Sequence, residues 1–199
     1  MPRKPEYDRD VLIDRARDLF WQNGWAGTSM KDLERVLGLK PGSFYAAFGS
    51  KAALFALALD RYAETGAKRL AALEEEFGAF GALQEYPRAV ISSPDAKARA
   101  CMLAKTVLEM GQDADEIGAR ASKHLATMER RFAELFRAAQ SAQQIHASHD
   151  PDALARRYQS DLLGLRISAE RPDTDANAIA DDIAESLLRL KTPRADRMV

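Results

Sequence analysis

Apolar positions recur along the chain at intervals of three and four residues, the period of a helix that buries one face. Leu12, Ala16, Leu19 and Phe20 form the first such stripe, introduced by Asp8 or Asp10 as N-cap and stopped by Asn23-Gly24. A shorter helix begins at Thr28-Ser29. There Ser29 and Asp32 stand three apart, as in a capping box with Asp in place of Glu, and Leu33, Val36 and Leu37 face inward up to Gly38. Leu39-Lys40-Pro41-Gly42 then leads into a third helix of barely two turns, ending at Gly49-Ser50.

The same pattern predicts helices over 50–66 and 67–77. The stretch 78–94, with Gly78, Gly81, Pro87 and Pro94, reads as a connector containing a short helical turn. Helices follow over 96–110 and 114–144. Asp150-Pro151 opens another to about residue 168, and Asp173 or Thr174 caps a last one carrying Ala176, Ile179, Ala180, Ile183, Leu187 and Leu190. The count is about nine helices and no strand, an all-α fold whose tail 191–199 is expected to be disordered.

Composition strengthens this reading. The chain holds 36 Ala and 22 Leu against 5 Val, 7 Ile and 6 Thr, an excess of helix formers over β-branched residues. Its 199 residues, 46% hydrophobic, suffice for one ordinary domain or two small ones. A single Cys rules out an intramolecular disulfide. There is no apolar run of about 18 residues and no hydrophobic signal core near Met1, so a cytoplasmic protein without membrane association is expected.

The run from Ile13 to Phe55, IDRARDLFWQNGWAGTSMKDLERVLGLKPGSFYAAFGSKAALF, carries two short helices around a Gly-containing turn. It resembles the N-terminal domain of the TetR family of transcriptional regulators in Ala16, Phe20, Gly24, Thr28, Leu33, Gly38-Leu39, Gly42-Ser43, Tyr45, Phe48 and Lys51. The resemblance implies a helix-turn-helix DNA-binding domain over 8–54 and a helical ligand-binding and dimerisation domain over 55–190. Ser43, at the start of the third helix, is placed to meet base edges, Gly42 lets the backbone approach the duplex, and Lys40 reaches a guanine edge or a phosphate. Pro41 occupies a position where the family often has a polar residue. Tyr45 matches a tyrosine whose hydroxyl contacts phosphate while its ring packs the three-helix core. Lys51, Thr28 and Ser29 lie at helix N-termini suited to phosphate. Leu33-Glu34 and Ala46-Ala47 depart from the usual family residues, and the two alanines shift readout toward thymine methyls and DNA shape.

For the remainder, the resemblance implies a homodimer built from the last two long helices, with Leu154, Tyr158, Leu162 and Leu165 on one and Ile179, Ile183, Leu187 and Leu190 on the other. Periodicity equally allows both stripes to face the protein's own core. The intervening helices are expected to enclose a pocket for a small-molecule inducer, with Tyr62, Met102, Leu103, Val107, Met110, His124, Met128 and Phe132 as candidate lining. Met and aromatic stripes also build ordinary cores. Cys101 has Lys97 and Lys105 four residues away on either side, a spacing that allows a thiol sensor, although a free Cys also serves as a small buried hydrophobe. His146 and His149 have no second ligand cluster near them. No metal, cofactor or catalytic constellation is predicted.

The reading is a ligand-responsive regulator, a repressor released from a pseudo-palindromic double-stranded DNA operator by an inducer, and not an enzyme. Two alternatives stay open: a helical effector-binding protein with a degenerate DNA-reading head, and an electrophile- or redox-sensing repressor acting through Cys101. The whole-chain net charge of −1 argues against DNA binding only as an average. Residues 1–54 carry nine Lys/Arg and seven Asp/Glu, a balance of +2, and the rest carries −3.

Overall fold

The Asp8 carboxylate accepts the backbone N–H of Asp10 at 2.9 Å and so starts helix α1 (Arg9–Asn23) as the pattern predicts. This computed structural model describes residues 8–92, 98–110 and 116–191. The elements that follow are α2 (Met30–Leu37), α3 (Pro41–Phe48), α4 (Lys51–Ile91), α5 (Met102–Met110), α6 (Glu116–Ser141), α7 (Pro151–Ser168) and α8 (Ala176–Leu188), with no strand among the described residues. Contacts divide the chain into two compact units. The first holds the chain up to Gly66 together with Met102–His124, and the second holds Ala67–Pro94, Arg99–Cys101 and the chain from Leu125 onward.

In the first unit, Leu12, Ile13, Ala16 and Phe20 of α1, Leu33 and Leu37 of α2, and Phe44 and Phe48 of α3 are all buried, joined by Leu54, Phe55, Ala58 and Leu59 of α4. Phe20 meets Phe55 edge-on, with ring centroids 4.6 Å apart. Arg61 of α4 reaches Asp10 (2.6 Å) and Asp14 (3.4 Å) on α1, adding a polar clasp at the edge of this apolar seam.

Helix α4 departs from the sequence pattern. Residues 50–66 and 67–77 form one helix, because the cost of Gly66, about 1 kcal/mol against Ala, is outweighed by the strong helix formers on both sides. Helix continues through most of the expected connector, to Ile91, interrupted only at Gly78, whose φ of 71° and ψ of 176° lie outside the helical region. Pro87 lies inside the second arm.

That arm builds the core of the second unit with α6, α7 and α8. Leu83, Tyr86, Phe132, Phe136, Tyr158, Leu162, Leu165, Ile183 and Leu187 are all buried there. Tyr158 stands edge-on to Phe132 (5.0 Å) and Phe136 (5.9 Å). Ion pairs pin the outer surfaces: Arg137 to Asp152 at 2.6 Å and Arg88 to Asp181 at 2.6 Å. Asp150 caps α7 ahead of Pro151 as expected. The cap of α8 is Asp175 rather than Asp173 or Thr174, since its carboxylate reaches both Asn177 N–H (3.0 Å) and Ala178 N–H (3.1 Å). Helix α5 starts at Met102, later than the predicted 96. Residues 192–199 of the expected disordered tail lie outside the described residues.

Candidate nucleic-acid interface

Helix α2 is started by a full capping box. The Asp32 N–H donates to Ser29 Oγ (3.2 Å), while the Ser29 N–H and hydroxyl donate to Asp32 Oδ2 at 3.1 and 2.6 Å. The Ser29 hydroxyl, helped by the Ser29 N–H and by Arg35, holds the Asp32 carboxyl below the usual carboxylate range. Gly38, in the left-handed conformation, turns the chain toward α3.

Helix α3 ends at Gly49, which has φ +75°, and its eight residues divide between two faces. Phe44 and Phe48 anchor it, at 0% and 5% exposure. Lys40 at its N-cap, Pro41 at N1, Gly42 and Ser43 are exposed, and no side chain caps its first N–H groups. Pro41 supplies the fixed φ that suits a first helical position and has no N–H to leave unpaired. A Cβ placed on Gly42 would meet nothing in the protein within 4 Å. Its smallness therefore relieves no internal crowding and leaves room outside. Tyr45 differs from expectation. Its ring is half-exposed and leans edge-on against Phe44 (5.5 Å), so Phe44 rather than Tyr45 fills the three-helix core. Ala46 beside it is also exposed.

Two residues expected to face phosphate turn inward instead. Thr28 is 1% exposed, and its hydroxyl donates to the Gly24 carbonyl (2.7 Å). The Lys51 ammonium donates to the Trp25 carbonyl (2.6 Å) and sits 4.1 Å from the centroid of the Trp25 ring. Partial burial lowers the Lys51 pKa, and the nearby Glu109 carboxylate opposes that shift.

The sequence pattern gives Glu109 and Trp25 no role in the DNA-reading head, and it allows Lys105 to lie over the Cys101 thiol. In the structure Glu109 accepts the N–H groups of Trp25 (2.9 Å) and Ala26 (2.7 Å), while Lys105 donates to the carbonyls of Trp21 (2.8 Å) and Gln22 (3.4 Å). The legible signal was their separation of four, which puts both on one face of α5.

The candidate inducer residues fall in both units. Tyr62, Met102, Leu103, Val107, Met110 and His124 belong to the first, and Met128 and Phe132 to the second. Met102, Leu103 and Phe132 are buried. His124 lines an open groove of about 860 Å³ between α4 and α6, where Asp60 bridges His124 Nε2 (2.8 Å) and Arg120 (2.6 Å). Cys101 is 8% exposed. The segment before it is held by Glu170, which accepts Arg99 N–H (2.6 Å) and Ala100 N–H (2.7 Å), and by Arg166, which donates to the Arg99 carbonyl (2.9 Å). Lys105 is occupied at α1, and Lys97 lies outside the described residues. His146 and His149 sit in the α6–α7 loop, where the Gln140 amide donates to both their carbonyls at 3.2 and 2.8 Å.

The stripes read as a dimer interface lie largely in the protomer's own core. Tyr158, Leu162, Leu165, Ile183 and Leu187 are buried there, and Leu154, Ile179 and Leu190 pack partly buried against it. The large apolar side chains exposed on these helices are Ile167 (59%) and Leu188 (42%).

Comparison with known proteins agrees with this architecture. Residues 12–58 match the family described as bacterial regulatory proteins, tetR family, and residues 66–176 match the tetracyclin repressor-like C-terminal domain. The chain is 32% identical over 172 residues to the HTH-type transcriptional repressor ComR of Escherichia coli (strain K12), covering 84% of this chain and 81% of ComR. It is 31% identical over 172 residues to the transcriptional regulator AcuR of Cereibacter sphaeroides, covering 81% and 77%. A solved structure of a cysteine mutant of the regulator CifR, complexed with 26 bp double-strand operator DNA, aligns with a TM-score of 0.79. The identity is 26%, with 96% of this chain and all of that chain covered.

Proposed function

The chain belongs to the TetR family of DNA-binding transcriptional regulators, and we propose that it is a repressor whose homodimer holds a pseudo-palindromic operator until a small molecule releases it. The observation that carries this reading is the exposed edge Lys40-Pro41-Gly42-Ser43, mounted on the buried pair Phe44 and Phe48. A rigid hydrophobic base fixes a helix N-terminus whose free N–H groups, cation and hydroxyl suit phosphate and base edges. DNA reading is assigned to 8–54, and effector binding and dimerisation to 55–190.

Ser43 and the exposed Ala46 are the candidate readers. Lys40, Ser29 and the Tyr45 hydroxyl are the candidate phosphate contacts. Thr28 and Lys51 support the head from inside. Two copies of residues 1–54, each with a balance of +2, double the local positive charge in a dimer, which favours paired half-sites over isolated non-specific contacts. The protomers are taken to join through the outer side of α7 and α8, where Gly164, Ile167 and Leu188 are open. An inducer acts only through a difference in its affinity for the two dimer geometries. Cys101 is read as a packed thiol, given its burial and the hydrogen bond that Lys105 makes to the Trp21 carbonyl.

A gel-shift of the full chain against its own upstream region, with a salt titration, tests the proposal. Site-specific binding that weakens with salt supports it, and its absence sinks it. The same preparation, screened by thermal shift against small metabolites, identifies the inducer class as the compounds that both stabilise the protein and release the DNA.

A further inference from the structure

The peptide of Trp25 is gripped from two sides by opposite charges on different helices. Glu109 of α5 takes its N–H at 2.9 Å and the neighbouring Ala26 N–H at 2.7 Å, and Lys51 of α4 takes its carbonyl at 2.6 Å. One turn earlier on α5, Lys105 caps the carbonyl end of α1 at Trp21 and Gln22. Helix α5 thus presents a cation to the negative end of α1, as a helix C-terminus favours, and an anion that accepts charge-assisted hydrogen bonds from two N–H groups of the turn that follows.

The chain is shaped to admit this carboxylate. Gly24 adopts φ +75°, and a Cβ there would stand 3.1 Å from Glu109 Oε2, so a side chain at this position would be strained and would crowd the grip. The held turn leads directly to the Ser29 cap of α2. Thr28 closes it with its hydroxyl on the Gly24 carbonyl (2.7 Å) and its N–H on the Trp25 carbonyl (3.3 Å).

We propose that Glu109 is a positioning residue for operator binding: from α5, together with Lys51, it fixes the Trp25–Ala26 turn and through it the placement of α2 and α3. The inference rests on the reading of α2 and α3 as the operator-reading pair. It adds a specific residue, outside the DNA-reading segment of the sequence, on which operator affinity depends without contact to DNA. Glu109 is an anion, so its removal would strengthen DNA binding if it acted only through long-range charge. A positioning role gives the opposite sign.

The test uses the full-length protein and a duplex selected by wild type from its upstream region, with affinity measured by fluorescence anisotropy across a salt series. Glu109→Gln and Glu109→Ala are expected to weaken binding roughly tenfold, about 1.4 kcal/mol, with the salt slope and the melting temperature near wild type. Amide exchange at Trp25 and Ala26 is expected to accelerate in both. Combining Glu109→Ala with Lys51→Ala should cost little more than the worse single change, whereas combining it with Lys40→Ala should be additive. Equal or tighter operator binding by both Glu109 variants overturns the proposal, as does a loss of affinity that merely tracks a loss of thermal stability. If wild type itself selects no duplex, the regulator reading fails first and takes this inference with it. If wild type binds and the variants match it, only the inference fails.

Discussion

The Tyr158 hydroxyl donates to the backbone carbonyl of Leu83 at 2.6 Å. Four residues beyond Leu83 stands Pro87, which has no N–H, so the helical donor that this carbonyl would normally receive is missing. Tyr158, from α7, replaces it inside the core. Burial, with Tyr86 nearby, raises the Tyr158 pKa well above its ordinary value, so the phenol keeps the proton that it donates. Tyr158→Phe should therefore destabilise by about 1–3 kcal/mol, the cost of a buried unsatisfied acceptor. In a Pro87→Ala background, where a backbone N–H returns, the same change should cost less than half as much. Equal costs in the two backgrounds, measured by denaturant melts, would show that the tyrosine is not compensating for the proline.

That relationship also explains what the sequence did not make legible. Gly78 and Pro87 are strong local breakers, and a connector was the natural reading of 78–94. Tertiary contact overrode it, because the freed carbonyl has a partner 75 residues away. The head was far more legible, since its signals are local: Asp8, the Ser29–Asp32 box and Gly38 each act within a turn of themselves, although α3 starts at Pro41, two residues before the Ser43 start that the pattern predicts. The inward turn of Lys51 was not visible because its partner, the Trp25 carbonyl, is 26 residues away. Likewise the stripes of α7 and α8 show which residues are buried and not what buries them. Tyr158, Leu162 and Ile183 went to the protomer's own core.

Lys40 and Lys51 should separate in their effect on DNA. Lys40 is exposed at the N-cap of α3, so Lys40→Ala should weaken binding across sequences and flatten the logarithmic salt dependence by about 1. Lys51 is engaged with Trp25, so Lys51→Ala should weaken binding while leaving that slope near wild type. Ser43→Ala should instead change base preference at one position of each half-site, read by a selection experiment. Identical behaviour of the two lysine variants would erase the distinction between contact and support.

The dimer proposal predicts that substitutions on the open side of α7 and α8 act on association and not on folding. A Cβ on Gly164 meets nothing within 4 Å inside the protomer, and Ile167 is 59% exposed. Gly164→Arg or Ile167→Glu should weaken the dimer by at least about 2 kcal/mol, roughly thirtyfold, in sedimentation equilibrium. The far-ultraviolet circular dichroism of the protomer should stay unchanged. Leu162→Ala should do the reverse, costing about 2–5 kcal/mol of protomer stability through a core cavity. If the surface variants remain dimeric, the protomers join elsewhere.

Asp32 gives the head a defined response to acid. Its carboxyl is held below the ordinary value of 3.8, chiefly by the Ser29 hydroxyl, so the folded state binds its proton less readily than the unfolded chain does. The stabilisation this provides is fully present above 3.8 and is lost as the pH falls through the lower folded value. Asp32→Asn should therefore melt below wild type near neutrality, and the gap should close only once the pH drops under 3.8. The charge also favours the N-terminus of α2. A gap that already shrinks around neutral pH would assign the effect to some other titrating group, whereas no gap at all would mean that the capping box contributes nothing to holding α2 in place.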